Sequence, residues 1–302
     1  MKLTLAALLL ASASVSACAM GSDAEQAPAQ TVQAPGPMAS SAPRAAPVAS
    51  PTPAAVAAPA ADASLSAAIA NPARSPANTV RDMHRHPAET LAFFGLKRGM
   101  TVVEVAPGSY YAEILAPYAK ATGGKYIGTG KQIEALADQA VWGPQTYVPF
   151  GKDSGPLVPA GSADMVLTFR NIHNWMWQPG MTDKAMADFA AALKPGGVLG
   201  VVEHRADPRP ETVANNRPAS DGYVAKATIV AAARKAGLVL EAESEVNANA
   251  KDTKDHPFGV WTLPPNSWTA PRGGVTPAGF DAAKYKAVGE SDRQTLRFRK
   301  PA

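Results

Sequence analysis

Thr101 to Gly130 reads TVVEVAPGSYYAEILAPYAKATGGKYIGTG, and this stretch decides the fold. It opens on a β-branched apolar run, Thr101 to Val105, with the pattern of a buried strand. A turn at Pro107-Gly108 leads into a helical pattern that sets Tyr111, Ile114, Leu115 and Tyr118 on one face. Gly123-Gly124 stops that helix, and Lys125 to Thr129 reads as a second strand. Two strands joined through a helix must run parallel, with a right-handed crossover. The turn and the helix N-terminus then lie at the carboxyl end of the first strand, where free backbone N–H groups can meet a nucleotide-like ligand.

Outward from this unit, alternating strands and helices continue. Gln132 to Ala140 is expected as a helix, Thr146 to Phe150 as the third strand and Asp164 to Phe169 as the fourth. Arg170 to Trp177 then packs an Arg, two Asn, a His and two Trp into eight residues. Core packing does not need such a cluster; at the end of a parallel strand it points to function. Thr182 to Leu193 follows as a helix with Met186, Phe189 and Leu193 inward and Thr182 as N-cap. Lys194-Pro195-Gly196-Gly197 is the turn before a fifth strand, Val198 to Val202, which ends in Glu203-His204-Arg205. Tyr223 to Ala236 reads as a helix closed by Gly237. Leu238 to Val246 alternates Leu238, Leu240 and Ala242 against Glu241, Glu243 and Glu245, as an edge-proximal strand does. Asn247 to Glu290 shows little periodicity, and Gln294 to Arg299 is a closing strand.

The acidic Glu104 before a Gly-containing turn, the Gly161-Ser162-Ala163-Asp164 lead into strand four, and Lys-Pro-Gly-Gly before strand five together resemble the class I S-adenosylmethionine-dependent methyltransferases. The likeness spans about residues 80 to 300. With the Arg-Asn-Ile-His-Asn-Trp and Lys-Asp-Thr-Lys-Asp-His-Pro segments, it is similar to a group of exported, lipoprotein-like members. The resemblance implies an α/β, Rossmann-like sheet of seven mostly parallel strands, helices on both faces, and a last strand inserted antiparallel. It implies S-adenosyl-L-methionine as cofactor, placed at Glu104, Ala106, Gly108 and Tyr110. Ala106 and Tyr110 stand where the family pattern has glycine, and no carboxylate follows the second strand in Gly128-Thr129-Gly130-Lys131. The acceptor is then a small molecule facing Arg170, Asn171, Trp175, Asp255 and His256. His173 is the candidate base, His204 the second, and Asn174 their neighbour in the catalytic group. A repurposed small-molecule-binding module on the same fold is the alternative. A metal site built from the five histidines (His84, His86, His173, His204, His256) is less favoured, since no tight ligand spacing supports it.

Composition sets the domain organisation. Across 302 residues, 46% hydrophobic, the chain can bury a substantial core. Lys2, the apolar Leu3 to Leu10 and the approach Val15-Ser16-Ala17 have the form of a signal peptide over residues 1–17. The apolar part is far shorter than the ~20 residues that span a bilayer. Cys18, the only cysteine, completes a sequence resembling a lipobox, so the chain is expected to be exported to the periplasm and held by lipid, at the outer membrane. Residues 18–73, rich in Ala, Pro and Ser, read as a disordered tether, with the folded domain at 74–302. The polar run Arg81, Asp82, His84, Arg85, His86 reads as a solvated helix face. The net charge of +4 is scattered and leaves no nucleic-acid footprint.

Overall fold

The computed structural model describes residues 62–271 and 273–302. The signal segment, Cys18 and most of the expected tether lie outside the described residues. Described structure begins ahead of the expected boundary at residue 74. Asp62 accepts a hydrogen bond from the Leu65 N–H and caps helix α1 (Ala63–Ile69), whose Leu65 and Ala68 are buried. The segment is Ala-rich, yet two residues at helical spacing suffice to seat it. Three short helices follow, α2 (Pro76–Thr79), α3 (Asp82–Arg85) and α4 (Pro87–Phe94). Pro87 at the first turn and Gly95 at the stop of α4 fall as their backbone preferences require.

The central unit is β1 (Thr101–Val105), α5 (Ser109–Thr122) and β2 (Lys125–Thr129). Where one helix was expected after β2, the chain makes a 3-10 turn at Glu134–Leu136 and a single turn, α6 (Gln139–Trp142), because Asp138 caps the second piece separately. Then come β3 (Gln145–Val148), β4 (Ala163–Phe169), α7 (Ile172–Trp175), α8 (Met181–Ala192) and β5 (Leu193–His204). Thr182 is not the N-cap of α8; Gly180 holds that place and the Thr182 hydroxyl is buried without a partner. The Lys-Pro-Gly-Gly segment runs within β5, with a register irregularity against β4. A small hairpin, β6 (Val213–Ala214) and β7 (Arg217–Pro218), precedes α9 (Lys226–Lys235) and β8 (Val239–Ser244). The long segment beyond carries β9 (Pro257–Val260) and α10 (Ala282–Val288) before β10 (Arg293–Arg299).

Seven strands form one sheet in the order β3-β2-β1-β4-β5-β10-β8. The first five pair in parallel, and β10 enters antiparallel between β5 and β8. Alternate residues feed two cores. Val102 meets α1 and α5 on one face, while Val103 and Val105 meet α8 and α9 on the other. Burying both faces is what parallel strands require. Among the described residues no helix is long and apolar enough to cross a membrane.

Candidate active site

A cavity of about 310 Å³ opens at the carboxyl ends of β1, β4 and β5. The turn Ala106–Gly108 forms one side, Arg170, Asn171 and His173 the floor beyond β4, and His204 the end of β5. At the ends of both β1 and β4 a non-glycine residue takes the left-handed conformation, Ala106 at φ 49° and Arg170 at φ 61°. Each such residue costs of order 1 kcal/mol and persists only where its surroundings hold it. Here the Ala106 N–H donates to Thr129 Oγ1 at 2.8 Å and the Arg170 N–H to the Val202 carbonyl at 2.7 Å. Asn171 ties the two strand ends together, donating to the Val105 carbonyl and to Thr168 Oγ1, both at 3.1 Å.

Glu203, fully buried on β5, fixes the chemistry of the floor. Its Oε2 accepts from the Ile172 N–H at 2.7 Å and its Oε1 from the His204 N–H at 2.9 Å. The same Oε1 lies 3.0 Å from His173 Nδ1. With the carboxylate as acceptor, Nδ1 carries the proton, and Nε2 keeps a lone pair free to take one. His204 stands beside it, with ring centroids 5.3 Å apart and Nδ1 2.5 Å from Ser291 Oγ. Burial, and then the neighbouring His173, Arg170 and Arg293, hold the His204 pKa well below the usual histidine range. His204 is therefore a neutral partner at physiological pH. The donor atoms of His173, Glu203 and His204 lie within 4.8 Å of one another, a set of types that a divalent metal accepts. Glu203 already receives two backbone N–H groups and an imidazole, so its lone pairs serve a hydrogen-bonded dyad. Of the five histidines, His173 and His204 line the cavity; His84 and His86 belong to the N-terminal helices.

Trp177 and Trp261 wall the dyad, with ring centroids 6.1 and 5.9 Å from His173. Beyond Trp261 an open groove continues past Trp268 and holds Asp255 and His256. His256 Nε2 is bonded to Asp252 Oδ1 at 2.8 Å, and Asp255 to the Thr253 hydroxyl, so both sit apart from the cavity. Asn174 lies where cavity and groove meet. Trp175 belongs to the core, packed against Phe150 and Phe189.

Glu104 and Tyr110 do not line the cavity. Glu104 is buried under β2, where the Tyr126 hydroxyl donates to it at 2.8 Å; burial pushes its pKa up to about 8. Tyr110 turns toward the N-terminal helices. Its hydroxyl donates to Asp82 Oδ1 at 2.6 Å, and the Arg85 guanidinium lies 4.5 Å from its ring centre. The polar run at 81–86 is accordingly not a solvated face: Arg85 is 1% exposed and pairs with Glu290 at 2.9 Å. Glu203, Glu290 and Ser291 were not among the expected site residues. A carboxylate placed directly after the apolar run Val198 to Val202 was the available signal for Glu203.

No protein-family model matches the chain, and no curated protein sequence does. Solved structures do resemble it. One is the cyclase SpnF, 16% identical, with a TM-score of 0.50 over 83% of this chain and 89% of that one. Another is a SAM-dependent methyltransferase from Aquifex aeolicus, 20% identical, with a TM-score of 0.44 over 57% of this chain and 88% of that one. A third is a TehB-like SAM-dependent methyltransferase from Corynebacterium glutamicum, 13% identical, with a TM-score of 0.41 over 68% and 83%. The fold is that of the class I methyltransferases. The seven-strand sheet with its antiparallel seventh strand in sixth place is the arrangement expected from the sequence.

Proposed function

We propose that the chain transfers a methyl group from S-adenosylmethionine to a small-molecule acceptor, with His173 as general base. The observation that carries this reading is the His173–Glu203 dyad opening on the same cavity as the turn between β1 and α5. The residues of that turn fit the amino-acid end of the cofactor. Gly108 is the N-cap of α5 and makes no side-chain cap, and a Cβ there would meet nothing within 4 Å. An uncapped N-terminus of a 14-residue helix favours a carboxylate, through its free N–H groups and its dipole. Ala106 lines the cavity beside it. When bound, the cofactor supplies an electrophilic methyl group. The chain's own part is to position the acceptor, to take its proton on His173 Nε2 and to steady the resulting imidazolium through Glu203. Trp177 and Trp261 limit water at the same atoms.

Calorimetry of the full chain with S-adenosylmethionine tests the cofactor directly, and absence of binding at millimolar concentration refutes the reading. His173→Ala should then lower turnover by roughly 10²–10⁴-fold with cofactor affinity retained. Full activity in a stable His173→Ala protein would remove the base role.

Export and a lipid anchor at Cys18 belong to the same reading, on the strength of Val15-Ser16-Ala17-Cys18 after a short apolar segment. Cys18→Ser should abolish lipid labelling and release the chain from the membrane fraction. A mutant that still fractionates with membrane counts against the anchor.

A further inference from the structure

Behind the cavity floor lies a cluster of arginines, and one of them is unpaired. Arg74 pairs with Asp82 at 2.8 Å. Arg81, Arg85 and Arg293 all converge on Glu290, at 2.8, 2.9 and 2.9 Å. Arg170 makes no ion pair or side-chain hydrogen bond with any described residue, although it feels Glu290, Arg293 and Arg81. Arg170 is thus the member of this cluster without a carboxylate partner among the described residues. The Tyr110 ring adds no formal charge to this account; it lies beside Arg74, Arg81 and Arg85, with centroid distances of 5.5, 5.7 and 4.5 Å. Arg85 is 1% exposed, and its Nη1 and Nη2 have no partner. Arg170 is half-buried, lines the cavity and has no counter-ion among the described residues, so its guanidinium is free to meet an anion there. Of the group, Arg170 and Glu290 reach the cavity surface, and Arg170 precedes His173 by three residues on the same strand-to-helix turn.

We propose that the cavity takes an anionic acceptor, whose carboxylate or phosphate meets the Arg170 guanidinium while its reacting hydroxyl or amine faces His173. That the ligand is an acceptor rests on the methyl-transfer reading; that it is an anion does not. A planar guanidinium offers two parallel N–H donors, the geometry that carboxylate and phosphate oxygens match. The acceptor class is therefore a small hydroxy or amino acid, or a phosphorylated alcohol, with the anion close to the methylated atom.

Inorganic phosphate is the probe. The full chain is melted in rising phosphate at constant ionic strength set with sodium chloride. At a phosphate concentration of about a hundred times its Kd, the melting temperature should rise by roughly 5–10 °C. Arg170→Gln should abolish that rise. It should also melt no lower than the wild type in phosphate-free buffer, since it removes an uncompensated charge. Arg217→Gln, in the neighbouring groove, should keep the full rise. Should Arg170→Gln fail to fold, Arg170→Lys is read instead; it keeps the charge but loses the paired donors and must weaken phosphate binding. A wild type with no rise up to about 100 mM phosphate, a hundred times a millimolar Kd, overturns the site. So does a position-170 variant with undiminished phosphate affinity. Cofactor affinity unchanged in saturating phosphate supports the assignment to the acceptor, whereas competition overturns it and gives Arg170 to the cofactor's own carboxylate. A chain that binds phosphate through Arg170 but never S-adenosylmethionine keeps the anion site and refutes methyl transfer.

Discussion

Replacing Glu104 by Gln should make the protein less sensitive to alkali. Glu104 lies on β1, 2% exposed, with the Tyr126 hydroxyl as its side-chain hydrogen-bond partner. Burial penalises the carboxylate more than that hydrogen bond favours it, and the folded-state pKa rises from 4.5 to about 8. The sign follows. Between these two values the folded chain holds a proton that the unfolded chain has released, so stability falls as pH rises. The contribution is complete below the unfolded value of 4.5 and is lost as pH passes through about 8. Each pH unit across that interval is worth about 1.36 kcal/mol, which sets a ceiling of roughly 5 kcal/mol. Relaxation around a buried charge brings the expected loss to a few kcal/mol, still a large share of the roughly 5–15 kcal/mol that holds a domain folded. Gln keeps an oxygen for the Tyr126 hydroxyl and cannot ionise. Urea unfolding of both proteins at about pH 5, 7 and 9 measures the effect, and other titrating groups cancel in the difference. The two should be close at acid pH, with Glu104→Gln gaining steadily toward alkali. A gap that is independent of pH, or that widens toward acid, refutes a neutral buried carboxyl.

Leu65→Ala should cost roughly 2–4 kcal/mol in urea unfolding, as deletion of a buried leucine does. Unchanged stability would mean that α1 contributes nothing to the fold, whatever its burial. Glu203→Gln should lower turnover by roughly 10²–10⁴-fold while cofactor affinity holds, because the negative charge that steadies the imidazolium is lost and an amide NH2, a donor only, replaces one of two oxygens that both accept. Undiminished turnover in that variant would leave His173 without an orienting partner and the dyad without a role.

What the sequence made legible was local. The strand, turn, helix, strand order at 101–129, the strand before Arg170 and the alternation of the last strand each follow from neighbours in the chain, and the structure keeps them. What escaped depends on partners far away. Tyr110 occupies a place where glycine was expected because a cluster of arginines from the N-terminal helices surrounds its ring, and nothing within its own helix announces them. Arg85 looked solvated because its carboxylate, Glu290, lies 205 positions on. Glu104 carried the expected acidic identity, yet burial under Tyr126 takes it from the cavity. The sequence resemblance groups Asp255, His256 and Trp175 with Arg170 and Asn171. The fold sends the first two to the groove and the third to the core.

β10 follows every other described strand in the chain, yet it is an interior one. β10 sits between β5 and β8, and Glu290 and Arg293 at its entrance anchor Arg85 and the His84 carbonyl on α3. Until β10 is made, β5 lacks the neighbour that covers it, and Arg81 and Arg85 lack Glu290. Residues 81–85 and 290–293, far apart in the chain, thus meet behind the cavity floor. Such long-range pairing makes for slow folding, with apolar strand edges open in the meantime. A nascent chain that stays open until β10 is made can still be held by a chaperone before it commits to a shape.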